Sequence, residues 1–161
     1  MGYADWLSWL RNKVYGRMIV LYQFNVARMR EPYTAKVWNN WRKLLPLVHL
    51  QAMAHPGYVG RYEGEHCPLG YIAPYPDDEL VMGNLSAWAS RPQLESFTFG
   101  PGTHGRLMRH RDKWFEPWTE GEAFNVMWWQ PAGKFDLEFA KEQLARLRLV
   151  GPNHQLFGFV L

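Results

Sequence analysis

The sequence predicts one α+β domain built on a four-stranded antiparallel sheet, and two observations lead to that prediction. At 161 residues and 47% hydrophobic, the chain can bury one sizeable core but is short for two. Along it, segments with the period of a strand alternate with segments of helical period, in the order strand, helix, strand, loop, strand, helix, strand, helix. Two such halves are typical of the ferredoxin-like arrangement, in which helices cover one face of the sheet.

The first segment, residues 1–16, is predicted to be a short amphipathic helix outside that domain, which takes residues 17–161. Apolar side chains recur along it at helical spacing: Tyr3, Trp6, Leu7, Leu10 and Val14. We interpret the segment as an arm docked on the domain. A helix lying on a membrane surface is the alternative, for which the segment has few basic residues.

The first strand is predicted over residues 17–27, RMIVLYQFNVA, because this stretch is β-branched and aromatic. Alternation puts four apolar side chains on one face: Val20, Tyr22, Phe24 and Val26. The other face carries the amides Gln23 and Asn25 among apolar neighbours. Buried amides need partners, so this pair indicates either structural hydrogen bonding or contact with a substrate.

A helix is predicted next, from a cap at Thr34 to about Ala54. Its apolar stripe consists of Val37, Trp41, Leu44, Leu45, Val48 and Ala52. Pro46 should kink it, because proline removes one backbone donor and crowds the preceding turn. A strand near residues 58–63 and a proline-rich loop over residues 64–80 follow.

The second half repeats the pattern. In its first strand, Val81–Ala89, the side chains of Asn84, Ser86 and Trp88 point one way. The remaining predicted elements are a helix at residues 91–99, a turn at residues 100–102, a helical segment at residues 103–115, a strand at residues 123–130, a helix at residues 136–149 and a tail that adds a short strand.

Aromatic residues make up 16% of the chain, with nine tryptophans, which favours a large interface or an aromatic-lined cavity. A sheet with helices on one face leaves its other face bare. Because Trp88, Trp128 and Trp129 lie on predicted strands, at least one large apolar side chain should point to that bare face. We therefore expect a homodimer, in which a second copy covers it.

Composition and motifs exclude several classes of function. The net charge of +3 comes from scattered Lys and Arg residues, so we expect no nucleic-acid partner. No apolar run approaches the ~20 residues of a membrane span. The first residues lack the features of a secretory signal and Cys67 stands alone, so we expect a soluble, cytoplasmic protein without an intrachain disulfide. No hydrolase, Walker or Rossmann motif occurs.

The segment THGRLMRHRDKWF at residues 103–115 is the main candidate site. At about 100° per residue, one side of a helix would carry His104, Leu107, Met108, Arg111, Trp114 and Phe115. A buried guanidinium without a partner is costly, so Arg111 needs an anionic ligand group or a carboxylate. Candidate carboxylates in the chain are Glu63, Glu65 and Asp136. A structural histidine and a structural salt bridge remain the alternatives for His104 and Arg111.

These residues predict a small-molecule enzyme that acts on an apolar or aromatic substrate by cofactor-independent oxygenation, isomerisation or cyclisation. His104 would move a proton, and Arg111 or Asn25 would stabilise an oxyanion. The walls of the pocket are expected to include Gln23, Trp88, Met108, Trp128 and Trp129. We expect no metal, because His55, His66 and Cys67 match no compact zinc pattern. A non-catalytic binding or interaction module is an alternative.

Several short motifs in order resemble an uncharacterised family of unknown function placed among the dimeric α/β barrels. They are NLSAW at residues 84–88, His104, HRDKWF at residues 110–115, WWQPAG at residues 128–133 and Gly151-Pro152. The resemblance covers roughly residues 17–160. It implies a superfamily that contains antibiotic-biosynthesis monooxygenases, haem-degrading monooxygenases, aldoxime dehydratases and small isomerases or cyclases, so the fold does not determine the reaction.

A narrower similarity makes haem an alternative cofactor. The haem-degrading members use an asparagine on the first strand, a tryptophan on the third and a histidine on the following helix, and Asn25, Trp88 and His104 are similar to these in order and element. The similarity implies that His104 binds the haem iron, Asn25 hydrogen-bonds near bound dioxygen and Trp88 presses on the porphyrin.

Overall fold

A computed structural model describes residues 18–64 and 71–159. Its antiparallel sheet has the strand order β2-β3-β1-β4. The strands are β1 (Ile19–Arg28), β2 (Tyr58–Arg61), β3 (Val81–Trp88) and β4 (Asn125–Pro131), and the helices are α1 (Asn39–Ala54), α2 (Arg91–Phe99), α3 (Thr103–Arg109) and α4 (Leu137–Val150). The α+β, ferredoxin-like class is therefore confirmed. The predicted arm at residues 1–16 lies outside the described residues.

Strand register assigns one set of side chains to what we call the cavity face of the sheet. Gln23 of β1 lies opposite Ser86 of β3 and Met127 of β4. Residues directly opposite in an antiparallel pair share a face. The same face therefore carries Leu21, Asn25, Asn84, Trp88, Asn125 and Trp129. Helices α1 and α2 pack on it, because Ala52 and Leu94 share a core cluster with Leu21, Trp88 and Met127.

The opposite face, which we call the α4 face, is also covered within the chain. Its buried sheet residues include Val20, Tyr22, Phe24, Val26, Leu85, Ala87, Val126 and Trp128. They form one core cluster with the residues of α4 that are buried, Leu137, Ala140, Leu144 and Leu147. Of the four described helices, α1 to α3 lie on the cavity face, whereas α4 lies on the opposite face. The bare face that suggested a second copy is thus filled by the last helix.

The entry into α1 differs from the prediction. Thr34 is exposed and caps no helix; a 3₁₀ turn (Lys36–Trp38) precedes α1, and no side chain caps either. The reason is Trp38, which is fully buried and donates its indole N–H to the carbonyl of Glu31 at 3.0 Å. Val37 consequently faces solvent, with 44% of its surface exposed, so it does not belong to the apolar stripe predicted for α1.

The predicted helix over residues 103–115 is also shorter than expected. Helix α3 ends at Arg109, and a second 3₁₀ turn (Arg111–Lys113) follows. Trp114 and Phe115 then leave helical geometry to pair with the chain just beyond β1, where the N–H of Arg30 donates to the carbonyl of Trp114 at 2.8 Å. Pairing with the sheet replaces the last predicted helical turn.

The tail contributes one isolated pair to the sheet. Phe157 and Met127 exchange backbone hydrogen bonds of 2.6 and 3.2 Å. Within residues 18–64 and 71–159, no helix combines the length and the apolar character needed to cross a bilayer.

Candidate functional site

A cavity of about 180 Å³ lies between the cavity face of the sheet and the helices above it. A cavity of about 150 Å³ is enough to hold benzene, so this one has room for a single ring with small substituents. The side chains that line it are mainly apolar and aromatic, and include Trp41, Val48, Trp88, Phe97, Leu107, Met108, Phe115 and Trp118. A few polar groups lie among them, as in most small-molecule sites.

The floor of the cavity carries a chain of hydrogen bonds. The indole N–H of Trp88 donates to the hydroxyl of Ser86 at 3.0 Å, and that hydroxyl donates to Oε1 of Gln23 at 3.2 Å. Gln23 in turn donates from Nε2 to Oδ1 of Asn25 at 2.8 Å. Asn25 thus accepts at its oxygen, and among the described residues its Nδ2 donates no hydrogen bond. This amide N–H₂ is available to a bound molecule.

The ring of His104, at the start of α3, is held by a hydrogen bond that it donates to the backbone of α2. Its Nδ1 lies 3.0 Å from the carbonyl oxygen of Thr98. A carbonyl can only accept, so Nδ1 carries the proton and Nε2 keeps its lone pair. Burial lowers the pKa of His104 below the ordinary 6.5, against the smaller raising effect of the Thr98 carbonyl. At neutral pH the ring is a neutral base with a fixed tautomer.

A tight corner between α2 and α3 places this histidine. A Cβ on Gly105 would come 1.9 Å from the carbonyl oxygen of Gly100, so only glycine permits the two segments to approach so closely. Gly100 likewise lies against the carbonyl of Ser96, 2.1 Å from where its own Cβ would be. The GPGTHG sequence therefore folds α3 back beneath the end of α2, where the Thr98 carbonyl meets His104.

Arg111 reaches the cavity from the 3₁₀ turn after α3. Its Nη2 donates to the carbonyl of Glu116 at 3.1 Å, and its guanidinium carbon lies 3.7 Å from the ring centroid of Trp118. Burial lowers the pKa of Arg111; Asp112 opposes this and Arg30 adds to it. Among the described residues, Arg111 has no carboxylate within 4.0 Å.

The carboxylates proposed from the sequence do not supply that partner. Glu63 pairs with Arg61 at 3.1 Å. Asp136 caps α4 by accepting from the N–H of Phe139 at 3.0 Å. Glu65 lies outside the described residues.

Two further donors in the lining lack acceptors, one on Trp118, over which Arg111 lies, and one on Trp41, which packs on Phe115 as Arg111 does. The indole nitrogens of Trp41 and Trp118 are buried and make no hydrogen bond in the part of the chain that the structure describes. Both residues line the cavity. Buried donors in native proteins are nearly always paired, so two orphans at one cavity are a signal of a missing acceptor.

A second polar pair in the lining, His49 and Arg61, was missed by the sequence analysis. Nε2 of His49, on α1, lies 2.8 Å from Nη1 of Arg61, on β2. Burial lowers the pKa of His49 to about 4; the adjacent Arg61 acts in the same direction and Glu63 opposes both. His49 follows the apolar Val48 of the predicted stripe, which was the only local signal that it would face inward.

Six of the eight predicted site residues line this cavity: Gln23, Asn25, Trp88, His104, Met108 and Arg111. The other two do not. Trp128 points to the α4 face, where it stacks on Tyr22 at 5.7 Å and meets Phe139. Trp129 is on the cavity face but is 44% exposed and outside the lining. Neighbouring residues of a strand point to opposite faces, so Trp128 and Trp129 could not both line one cavity on the sheet.

Two groups of ring contacts lie at opposite ends of the cavity, because Trp88 lies opposite Leu21 of β1 whereas Phe124 is hydrogen-bonded to Val26, five residues further along that strand. At one end, His104 packs on Phe97 at 5.0 Å, and Phe97 packs on Trp88 at 5.0 Å. At the other, Arg111 lies over Trp118, which stacks on Phe124 at 4.0 Å. We call these the histidine end and the arginine end.

No metal cluster is evident in residues 18–64 and 71–159, where no three His, Cys, Asp or Glu side chains are grouped to hold an ion. His66 and Cys67 lie outside those ranges. His55, the third residue considered for zinc, instead packs its ring edge on Trp88 at 5.5 Å.

Comparison with known proteins gives a family without a described activity. Residues 20–161 match the sequence model of the family described as Domain of unknown function (DUF3291). Searches of curated proteins and of solved structures found no significant match.

Proposed function

The chain belongs to the DUF3291 family, and we propose that it is a small-molecule enzyme that moves a proton on an apolar or aromatic substrate without a cofactor. Oxygenation of the resulting carbanion, isomerisation and cyclisation are the reaction types that begin in this way. The observation that carries the proposal is His104, a neutral base of fixed tautomer in a small aromatic cavity.

The proposed step is proton abstraction from a carbon next to a carbonyl. The C–H bond breaks, its proton bonds to Nε2 of His104, and the electron pair moves onto the carbonyl oxygen to give an enolate. The free Nδ2 of Asn25 is the donor proposed for that oxygen. Arg111 supplies positive charge to the same cavity. Apolar walls exclude water, which strengthens each of these interactions.

Haem is the alternative cofactor, favoured by one observation: Asn25, Trp88 and His104 line a single cavity. The residues present offer an imidazole ligand, but the cavity of about 180 Å³ suits one ring, whereas a porphyrin is several rings wide. The fit to haem is therefore poor. Titration with haemin tests this directly, since a Soret band lost in His104→Gln would support haem over the first proposal.

Deuterium exchange tests the proposed step without knowledge of the product. Single-ring ketones and keto acids, such as phenylacetone and phenylpyruvate, are incubated with the protein in D₂O while NMR follows loss of the proton next to the carbonyl. We expect His104→Gln to slow exchange by about 10²- to 10⁴-fold, the usual contribution of a general base. His110→Gln is the matched control, because His110 is exposed at the end of the same helix and outside the cavity lining.

The outcomes separate an enzyme from a binding module. Circular dichroism must first show that His104→Gln is folded. Exchange as fast in that folded variant as in the parent protein rejects the role of His104. A panel that never exchanges faster than in buffer rejects proton transfer altogether and leaves ligand binding without catalysis as the better description.

A further inference from the structure

We propose that the ligand of this cavity is a small aromatic or apolar monocarboxylate, whose carboxylate is bound at the arginine end by Arg111 with the indole N–H groups of Trp41 and Trp118. This inference rests on the proposed function only in using the same cavity. It names the substrate class, and its test does not require turnover.

The first argument is the balance of charge around the cavity. The lining contains two guanidinium groups, Arg61 and Arg111. Arg61 has a carboxylate partner, Glu63, at 3.1 Å. Among the described residues, the partners of Arg111 are a backbone carbonyl and two aromatic faces, and the carboxylate of Asp112 lies outside ion-pair distance. Removing a cation from water without a counter-charge is unfavourable, so a bound anion restores a balance that the described residues leave open.

The second argument is the pair of orphan donors. Each indole has one N–H and no acceptor capacity, so only an acceptor can satisfy Trp41 or Trp118. A carboxylate presents two oxygens with about four lone-pair sites. It can take both indole N–H groups and one edge of the Arg111 guanidinium, whose planar fork matches a carboxylate. A neutral amide has one such oxygen and satisfies fewer of these donors.

The third argument selects a monocarboxylate over a phosphate. A phosphate ester carries about −1.5 to −2 charges and three strong acceptor oxygens at neutral pH. One unpaired guanidinium among apolar walls matches a single negative charge better. The volume of about 180 Å³ then leaves room for one ring or a comparable aliphatic body beside the carboxylate.

The two ends of the cavity also fix the orientation of such a ligand. His104 belongs to the ring group of Phe97 and Trp88, whereas Arg111 belongs to that of Trp118 and Phe124. A carboxylate at the arginine end therefore directs the rest of the molecule towards the histidine end. The proposal therefore predicts substrates in which the carbon that loses its proton lies at the histidine end, apart from the carboxylate that is bound at the arginine end.

The experiment is calorimetric titration with matched pairs of ligands. Benzoate, phenylacetate and cyclohexanecarboxylate are each compared with the corresponding carboxamide, which has nearly the same shape without the charge. We expect the parent protein to bind at least one carboxylate about ten- to hundredfold more tightly than its carboxamide, the range of a charge-assisted hydrogen bond. In Arg111→Gln this preference should disappear, while the carboxamide affinity changes little.

Three further variants exclude a purely structural effect. Arg109→Gln is the matched control, because Arg109 is an exposed arginine of the same segment and outside the cavity lining; it should keep the full preference. Trp118→Phe and Trp41→Phe retain a ring but lose the N–H, and each should weaken carboxylate binding several-fold and carboxamide binding by less.

Equal binding of carboxylate and carboxamide by the parent protein would overturn the inference. So would a folded Arg111→Gln that keeps the preference, or a failure of every carboxylate in the panel to bind with a Kd below about 1 mM. Repeating the titration with His104→Gln separates this inference from the proposed function. If His104→Gln still prefers carboxylates to carboxamides, the carboxylate site is supported even when the parent protein catalyses no deuterium exchange. If exchange depends on His104 but the parent protein shows no such preference, the carboxylate site is rejected and the proposed proton transfer stands.

Discussion

Replacing His49 with glutamine should make the stability of the fold less sensitive to acid. The His49 ring faces the cavity from α1, and its Nε2 lies 2.8 Å from the guanidinium of Arg61. A second proton on that ring would have to bind in a partly buried place beside a positive charge, and the opposing attraction of Glu63 is a smaller effect. The pKa of His49 is consequently about 4 in the folded chain, against 6.5 in an unfolded one.

The sign and size of the effect follow from linkage. The folded chain binds fewer protons than the unfolded chain between these two pKa values, so the free energy of unfolding is greatest above pH 6.5 and falls as the pH drops towards about 4. One pKa unit is worth about 1.4 kcal/mol, which gives an upper limit of about 3 kcal/mol. Because the ring is only partly buried, we expect about 1–2 kcal/mol after solvent screening.

Urea denaturation followed by tryptophan fluorescence, at several pH values between about 4 and 7, measures this loss. The difference between parent and His49→Gln isolates His49 from His104, whose lowered pKa acts in the same direction. Glutamine keeps an acceptor for Arg61 and does not titrate, and His154→Gln at an exposed position is the control. A difference between parent and His49→Gln that stays constant over the whole pH range would refute the reasoning.

Three other changes test the architecture. Gly105→Ala should lower the free energy of unfolding by at least about 1–3 kcal/mol in urea denaturation, because its Cβ would meet the Gly100 carbonyl oxygen at 1.9 Å. Gly133→Ala is the control and should change it by under about 0.5 kcal/mol, because a Cβ there has nothing within 4 Å. Trp38→Ala should cost about 3–5 kcal/mol by the same assay, since Trp38 is fully buried. The face that suggested a homodimer is filled by α4, so the reason that remains to expect one is Trp129, with 44% of its surface exposed. Sedimentation equilibrium should show a dimer that Trp129→Glu shifts towards monomer, and a monomeric parent protein would contradict the expectation.

The strand period carried most of what the sequence could predict about the site. Alternation alone put Gln23 and Asn25 on one face of β1, and Ser86 and Trp88 on one face of β3; the register then brought both pairs together. For β4 the same rule gave no answer, because two adjacent tryptophans point to opposite faces whatever the register. The pairing of Trp128 with Tyr22 places Trp128 on the α4 face and Trp129 on the cavity face. A local sequence pattern does not predict the register between strands that are distant in the chain.

Helical spacing was a weaker guide. It placed Arg111 beside His104 on an assumed continuous helix, but α3 ends at Arg109, and Arg111 reaches the cavity from a turn instead. The competition between helix and sheet pairing beyond β1 cannot be weighed from residues 103–115 alone. His49 and Arg61 meet across α1 and β2, and only the packing of that helix on the sheet brings them together.

The difference between the two faces of the sheet explains how the fold stays stable with several unfavourably buried polar groups at one site. In the part of the chain that the structure describes, the cavity holds a partly buried guanidinium without a carboxylate partner, two indole N–H groups without acceptors and two histidines whose pKa is lowered by burial. Each of these reduces the stability of the fold. The α4 face has the opposite character: Val20, Phe24, Val126, Ala140 and Leu144 are fully buried in one continuous apolar cluster. Because the last helix closes that face from within the chain, the core there can hold the sheet rigid whether or not a ligand is bound. The helices and turns that carry these groups pack on that sheet, so the polar groups are held in place and remain available to a ligand that satisfies them.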